Sequence, residues 1–244
     1  MNNVYKFVVL AIVLLSMAVV YGRILFWIEK YKKLNSLVRR LMNIIPWTFD
    51  EIRASLIGMV YYFVPLVFTL SLCIFFKFNL LKFFTIKLEF VPYILITIMG
   101  QLGVISMLSG SLTLVSSKVN WASEIGNISW ISSIKSRNKL VAPFVPILGA
   151  FFEEVFFRGV VFLLVYNVFP EFGIIPPLIL SILLFSLQQI LFTENKNQAI
   201  SMAFGSFGVA TVACISIAYT ASILPCVLAH QLFLIFYFGR FKMI

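Results

Sequence analysis

The stretch Phe151-Phe152-Glu153-Glu154-Val155-Phe156-Phe157-Arg158-Gly159 decides how this chain is read. Two adjacent carboxylates and an arginine interrupt a segment, 141–169, that is otherwise almost wholly apolar. At the centre of a membrane helix each such charge costs about 2.5–3.5 kcal/mol on insertion scales. No folding benefit evidently offsets three of them, so a site is the default reading and the rest of the sequence is its setting. The competing reading is a buried ion pair that holds helices together, with the second glutamate facing a watery crevice.

Composition supports a membrane setting. The 244 residues are 61% hydrophobic and only 11% charged, with a mean hydropathy of +1.04. Soluble chains carry about 25% charged residues, so a soluble globular domain is excluded. The formal charge of +10 raises the question of nucleic acid, but 27 phenylalanines and the placement of the cations point elsewhere. Lysines and arginines gather between apolar runs, where they set orientation and meet anionic lipid. Cys73, Cys214 and Cys226 lie within apolar runs without a Cys-x-x-Cys pair, and His230 is the single histidine. That inventory argues for no cofactor and no metal, since zinc sites draw on several Cys or His ligands.

Apolar runs long enough to cross a bilayer are expected at 7–27, 54–76, 90–115, 141–169, 174–192, 199–219 and 222–238. The first continues past Ser16-Met17-Ala18, which favours a retained helix over a cleaved signal. Between the first two runs, 29–53 reads either as an amphipathic surface helix with Leu34, Leu37, Val38, Leu41 and Ile45 inward, or as a plain charged loop. Small residues at Ser106/Gly110, Ser201/Gly205 and Ser206/Ala210 offer close helix approaches. Pro143 and Pro146 suit a first helical turn, and 116–140 is a long polar connection. Of the 19 basic side chains, Lys6, Lys77, Lys82 and Lys87 fall on one side and Arg158 falls within a span. The other fourteen collect on the opposite side, so the positive-inside rule puts the N-terminus outside and the C-terminus in the cytoplasm. A re-entrant span at 80–88 would reverse that parity.

On an α-helix Glu154 and Arg158 share a face and can pair, while Glu153 points about 100° away and stays uncommitted. A spare carboxylate in dry surroundings suits general acid–base work. Gln188 and Gln189 lie deep in the fifth run and His230 midway in the seventh. Singly, each is helix–helix glue; together with Glu153 they could meet at one polar spot.

Three elements then resemble a known family. Glu153-Glu154-x-x-x-Arg158-Gly159 is similar to the first motif of the CPBP family, the CAAX proteases and bacteriocin-processing or immunity proteins also known as the Abi family. Phe185-Ser186-Leu187-Gln188-Gln189 resembles its second motif, a Phe followed four residues later by His. The stretch 221–230, ending in His230, resembles its third, a Ser-rich approach to His with Asn four residues on. The resemblance covers about 141–238. It implies that Glu153 is a base activating water against a peptide bond, with Glu154 and Arg158 as structural companions and His230 as an oxyanion donor. Gln189 stands in place of the second-motif His and Leu234 in place of the Asn. A glutamine cannot accept a proton at neutral pH, but it can orient water or an oxyanion while Glu153 takes the proton. Leu234 can do neither, and losing one oxyanion donor costs about 10²–10³ in rate.

The expected fold is an all-α, polytopic transmembrane helical bundle of about seven spans, resembling the CPBP core. Helices of 1–140 would precede a CPBP-like unit at 141–244. The resemblance implies an intramembrane endopeptidase of a bacterial cell membrane, acting on a prenylated-type C-terminus, a leader or a membrane-bound peptide. The alternative is a non-catalytic membrane partner or bacteriocin self-immunity protein that holds a peptide or lipid in the same groove. Expected partners are membrane lipid and a membrane peptide or protein, not nucleic acid. A transporter fits less well, because the ionisable residues form one cluster and no paired discontinuous helices stand out.

Overall fold

Helices occupy all seven expected runs in the computed structural model, which describes residues 2–85, 87–137, 141–142 and 144–240. Pro143, Lys139 and Lys242 lie outside the described residues. The chain is helical with no strand among the described residues, and it is an integral membrane protein of all-α bundle architecture. Its helices are α1 (Asn3–Glu29), α2 (Lys32–Leu41), α3 (Phe49–Phe75), α4 (Val91–Val115), α5 (Trp121–Gly126) and α6 (Ser129–Ser132). After them come α7 (Phe144–Glu154), α8 (Val165–Val168), α9 (Ile175–Ile190), α10 (Lys196–Thr220) and α11 (Leu224–Arg240). Among the described residues, four helical stretches are long and apolar enough to span a bilayer by themselves: Asn3–Glu29, Phe49–Phe75, Leu88–Val115 and Lys196–Thr220. With 16 residues, α9 is about 24 Å long and shorter than the ~30 Å hydrocarbon core.

Several boundaries differ from the sequence expectation for local reasons. Helix α3 begins five residues before position 54, because Thr48 and Glu51 form a capping box. Glu51 accepts from the Thr48 N–H at 2.8 Å, and Thr48 accepts in return from the Glu51 N–H at 3.3 Å. That box satisfies two orphan N–H groups and lets Asp50, Glu51 and Arg53 ride in the first turn. Within 29–53 only α2 is a separate helix, and its Leu34 and Val38 are buried with Ile52 and Ile57 of α3. Between 77 and 90 the chain makes two short 3₁₀ turns, Leu80–Phe83 and Leu88–Phe90, and no extra span appears there. The connection at 116–140 is less open than its polarity suggests. Ile128, Ile131 and Ile134 recur every three residues and are buried with Ala142 and Val145.

The continuous α-helix expected through 141–169 is a correction: α7 ends at Glu154 and Val155–Leu164 is wound as a π-helix before α8 resumes. All ten residues of that turn-widened stretch are buried, Arg158 among nine apolar neighbours. Phe156, Phe157, Val160 and Leu164 sit at the centre of the main core, with Leu14 and Tyr21 of α1, Phe185 of α9 and Val209 of α10 around them. The small residues that permit close approach are also not the ones expected in α4. Ser106 and Gly110 are exposed, whereas a Cβ on Gly208 of α10 would stand 2.5 Å from Val104 of α4. Gly22 does the same between α1 and α9, where a Cβ would stand 2.7 Å from Leu191 Cβ and 3.0 Å from the Gln188 carbonyl.

Candidate functional site

Glu153 and Glu154 occupy the last positions of α7, just before the winding widens. The two carboxylates point to different partners. Glu154 is fully buried. Its Oε1 lies 2.8 Å from His230 Nδ1 of α11, and its Oε2 lies 3.1 Å from Arg158 Nε. Arg158 is also fully buried. The guanidinium faces the Phe185 ring, with Cζ 4.3 Å from the centroid, and its nitrogens are in no hydrogen-bond geometry among the described residues. A desolvated cation–π contact contributes about 2 kcal/mol, so Phe185 supplies part of what water would have supplied. The Phe185 ring also meets His230 edge-on at 6.3 Å.

Glu153 stands apart from that cluster. Gln189 Nε2 donates to Glu153 Oε1 at 3.0 Å, and the Tyr61 hydroxyl of α3 donates to the same oxygen. Gln188 Nε2 donates to the Tyr61 oxygen at 3.2 Å, and Gln189 Nε2 donates to Gln188 Oε1 at 3.0 Å. Tyr61 is held in turn by aromatic packing on Tyr21 and Phe192, with centroids 4.8 and 5.5 Å away.

A crevice of about 270 Å³ leads to these groups. Glu29, exposed Asp50, Arg53 and Arg137 line it with Gly58, Tyr61 and Tyr62 of α3, and Glu153, Gln189 and His230 line it deeper in the bundle. Arg137 lies against Gly58, where a Cβ would come within 2.5 Å of a guanidinium nitrogen. Burial pulls Arg137 down from the ordinary arginine value. The other end of the bundle is shut by the linker after α3. Ser222 Oγ donates to the Phe83 and Thr85 carbonyls at 3.2 and 3.1 Å, and Leu80 packs where a Cβ on Gly159 would stand 2.8 Å away. The Ser-rich approach to His230 and the glycine after Arg158 therefore fasten that closure.

Of the five residues singled out from sequence, Glu153, Gln189 and His230 reach the crevice, while Glu154 and Arg158 form the buried support beside it. His230 is tied into the Glu154 cluster by one ring nitrogen. Its Nδ1 is engaged by Glu154, which leaves Nε2 as the ring's open position. Leu234, one turn after His230, lines the crevice within an apolar cluster around Ile131 and Val145. Tyr61 is the residue that sequence reasoning missed, while Gln188, noted from sequence as a polar residue deep in the fifth run, joins the site through Tyr61 and Gln189. Two adjacent tyrosines midway through an apolar run were the signal, since a buried phenol usually needs a partner. Among the described residues no three His, Cys, Asp or Glu side chains gather as metal ligands.

Residues 136–236 match the family model described as "Type II CAAX prenyl endopeptidase Rce1-like". No curated protein and no solved structure matches the chain. The match spans the Glu-Glu-x-x-x-Arg element, the Phe185–Gln189 stretch and His230, and it supports CPBP family membership for the segment 136–236.

Proposed function

We propose that the chain is an intramembrane endopeptidase in which Glu153 activates a water molecule. The observation that carries this reading is the division of labour between the adjacent carboxylates. Glu154 is held by Arg158 and His230, whereas Glu153 is held through Oε1 alone and lines a crevice with a polar mouth. Water at Oε2 would give its proton to Glu153 as its oxygen attacks the peptide carbonyl. His230, as imidazolium, would donate from Nε2 to the resulting oxyanion. Glu153 would then pass its proton to the leaving amine, which restores the carboxylate. Both amide hydrogens of Gln189 already have acceptors, so Gln189 serves to position Glu153.

The crevice walls of α3, α7 and α10 suit a peptide that reaches the site from the membrane: a prenylated-type C-terminus, a leader or a membrane-bound segment. The positive-inside rule places the mouth near Arg53 and Arg137 on the cytoplasmic side. Turnover of such a peptide by protein in liposomes should fall about 10²–10⁴-fold on Glu153→Gln, and unchanged turnover would end the reading.

A second reading is supported by Leu234, which gives an apolar lining where the family motif has Asn. In it, the chain binds a peptide or lipid in the crevice as a non-catalytic partner or self-immunity protein. A cellular phenotype that survives Glu153→Gln but is lost on Gly205→Phe, which fills the crevice, would select that reading. Increased cleavage by Gln189→His with Leu234→Asn would select the peptidase.

A further inference from the structure

We infer that Tyr61, on a helix outside the family-matched segment, is the positioning residue of Glu153 through a closed ring of side-chain hydrogen bonds that leaves one carboxylate oxygen open. The ring has four members. The Tyr61 hydroxyl donates to Glu153 Oε1, Gln188 Nε2 donates to the Tyr61 oxygen at 3.2 Å, and Gln189 Nε2 donates to Gln188 Oε1 at 3.0 Å and to Glu153 Oε1 at 3.0 Å.

Each group's chemistry fixes the direction of travel. A carboxylate only accepts, so the Tyr61 proton must point at Glu153, and the Tyr61 oxygen must then accept from Gln188. The Gln188 amide is thereby turned with its oxygen toward Gln189, whose two amide hydrogens are both consumed. Gln188 is fully buried, Gln189 is 5% exposed and Glu153 is 6% exposed, so the two bonds of Gln189 are buried, while those of the half-buried Tyr61 are partly so. Breaking one leaves a desolvated polar group unpaired. Two donors converge on Oε1, and none reaches Oε2 among the described residues. The crevice that Glu153 lines is therefore served by Oε2. A glutamine in place of the family's second-motif His fits this ring, because its amide can donate twice and a neutral imidazole cannot.

The catalytic consequence rests on the peptidase reading; the ring itself does not. Two measurements separate them, both on the full chain in liposomes. In peptide turnover, Tyr61→Phe keeps the aromatic packing on Tyr21 and Phe192 and removes only the hydroxyl. It is expected to lower kcat about 10- to 100-fold, as loss of a hydrogen bond to a charged group does, with KM held within about twofold. Gln188→Leu, at a residue that bonds to Tyr61 and Gln189 but not to Glu153, is expected to lower kcat by a smaller factor. Equal loss in kcat and KM, or no loss in either variant, overturns the assignment.

The second measurement needs no turnover. In solid-state proton NMR the wild type is expected to show a hydrogen-bonded phenol resonance that vanishes in Tyr61→Phe and in Glu153→Leu and moves in Gln188→Leu. Its absence from the wild type, or its persistence in Glu153→Leu, overturns the ring. A wild type that shows the resonance but cleaves nothing keeps the ring and sinks the peptidase reading.

Discussion

Arg158 shows how a single buried charge is made tolerable in this chain. It has one carboxylate at 3.1 Å, one aromatic face at 4.3 Å and no exposure to water. Removing one partner of a buried ion pair costs about 3–5 kcal/mol, because the other is left uncompensated. Arg158→Leu is therefore expected to lower stability by about 3–5 kcal/mol in reversible unfolding in detergent, since it strands Glu154 beside His230. Phe185→Leu removes the cation–π seat alone and should cost less than Arg158→Leu in the same measurement. A Phe185→Leu loss as large as that of Arg158→Leu would mean that packing, not charge, governs this position.

At the scale of elements, two features set the geometry around the site. The first is the start of α3, which the Thr48–Glu51 box fixes and which sets the register that brings Tyr61 to Glu153. Thr48→Val keeps shape but loses the cap, and it is expected to cost about 1 kcal/mol of stability in the same unfolding experiment. The second is the crossing of α1 on α9 at Gly22, next to the Gln188 carbonyl. A leucine there has no room, so Gly22→Leu must push α1 away from α9. Overpacking of this kind costs about 1–3 kcal/mol, and the displacement should also weaken the Tyr61–Gln188 bond. Unchanged melting of Gly22→Leu would show that the helices do not approach as closely as described.

For the whole molecule, the decisive property is that a crevice lined by exposed Asp50 reaches Glu153, while Leu80, Phe83 and Thr85 of the linker pack on Gly159 and Ser222. Gly205 lines the crevice, and a Cβ built there meets nothing within 4 Å. In a Cys73→Ser background, Gly205→Cys is expected to react with a water-soluble maleimide applied from the cytoplasmic side and not from the outside. Cys214 and Cys226 are fully buried and should stay unlabelled. Labelling from the outside alone would invert the proposed orientation.

The membrane-bundle class, the positions of the seven helices and the placement of charge at 151–159 follow from the sequence itself, because apolar length and isolated charge are local properties. The family likeness is equally local: short motifs at fixed spacing carry Glu153, Glu154, Arg158 and His230. The capping box at Thr48 is a four-residue pattern, yet the second run was expected to begin only at position 54. The division between the two carboxylates was only half legible. Helical spacing pairs Glu154 with Arg158, but the capture of His230 by Glu154 depends on where α11 docks. No residue pattern in 155–164 marks the π-winding after Glu154, whose ten residues are all buried. Tyr61 lies 92 residues from Glu153, so their contact exists only once α3, α7 and α9 have packed. Sequence determined which residues carry charge into the membrane, and tertiary structure decided which carboxylate is clamped and which faces the crevice. The physical reason is that a buried charge is defined by its neighbours, and those neighbours come from distant helices.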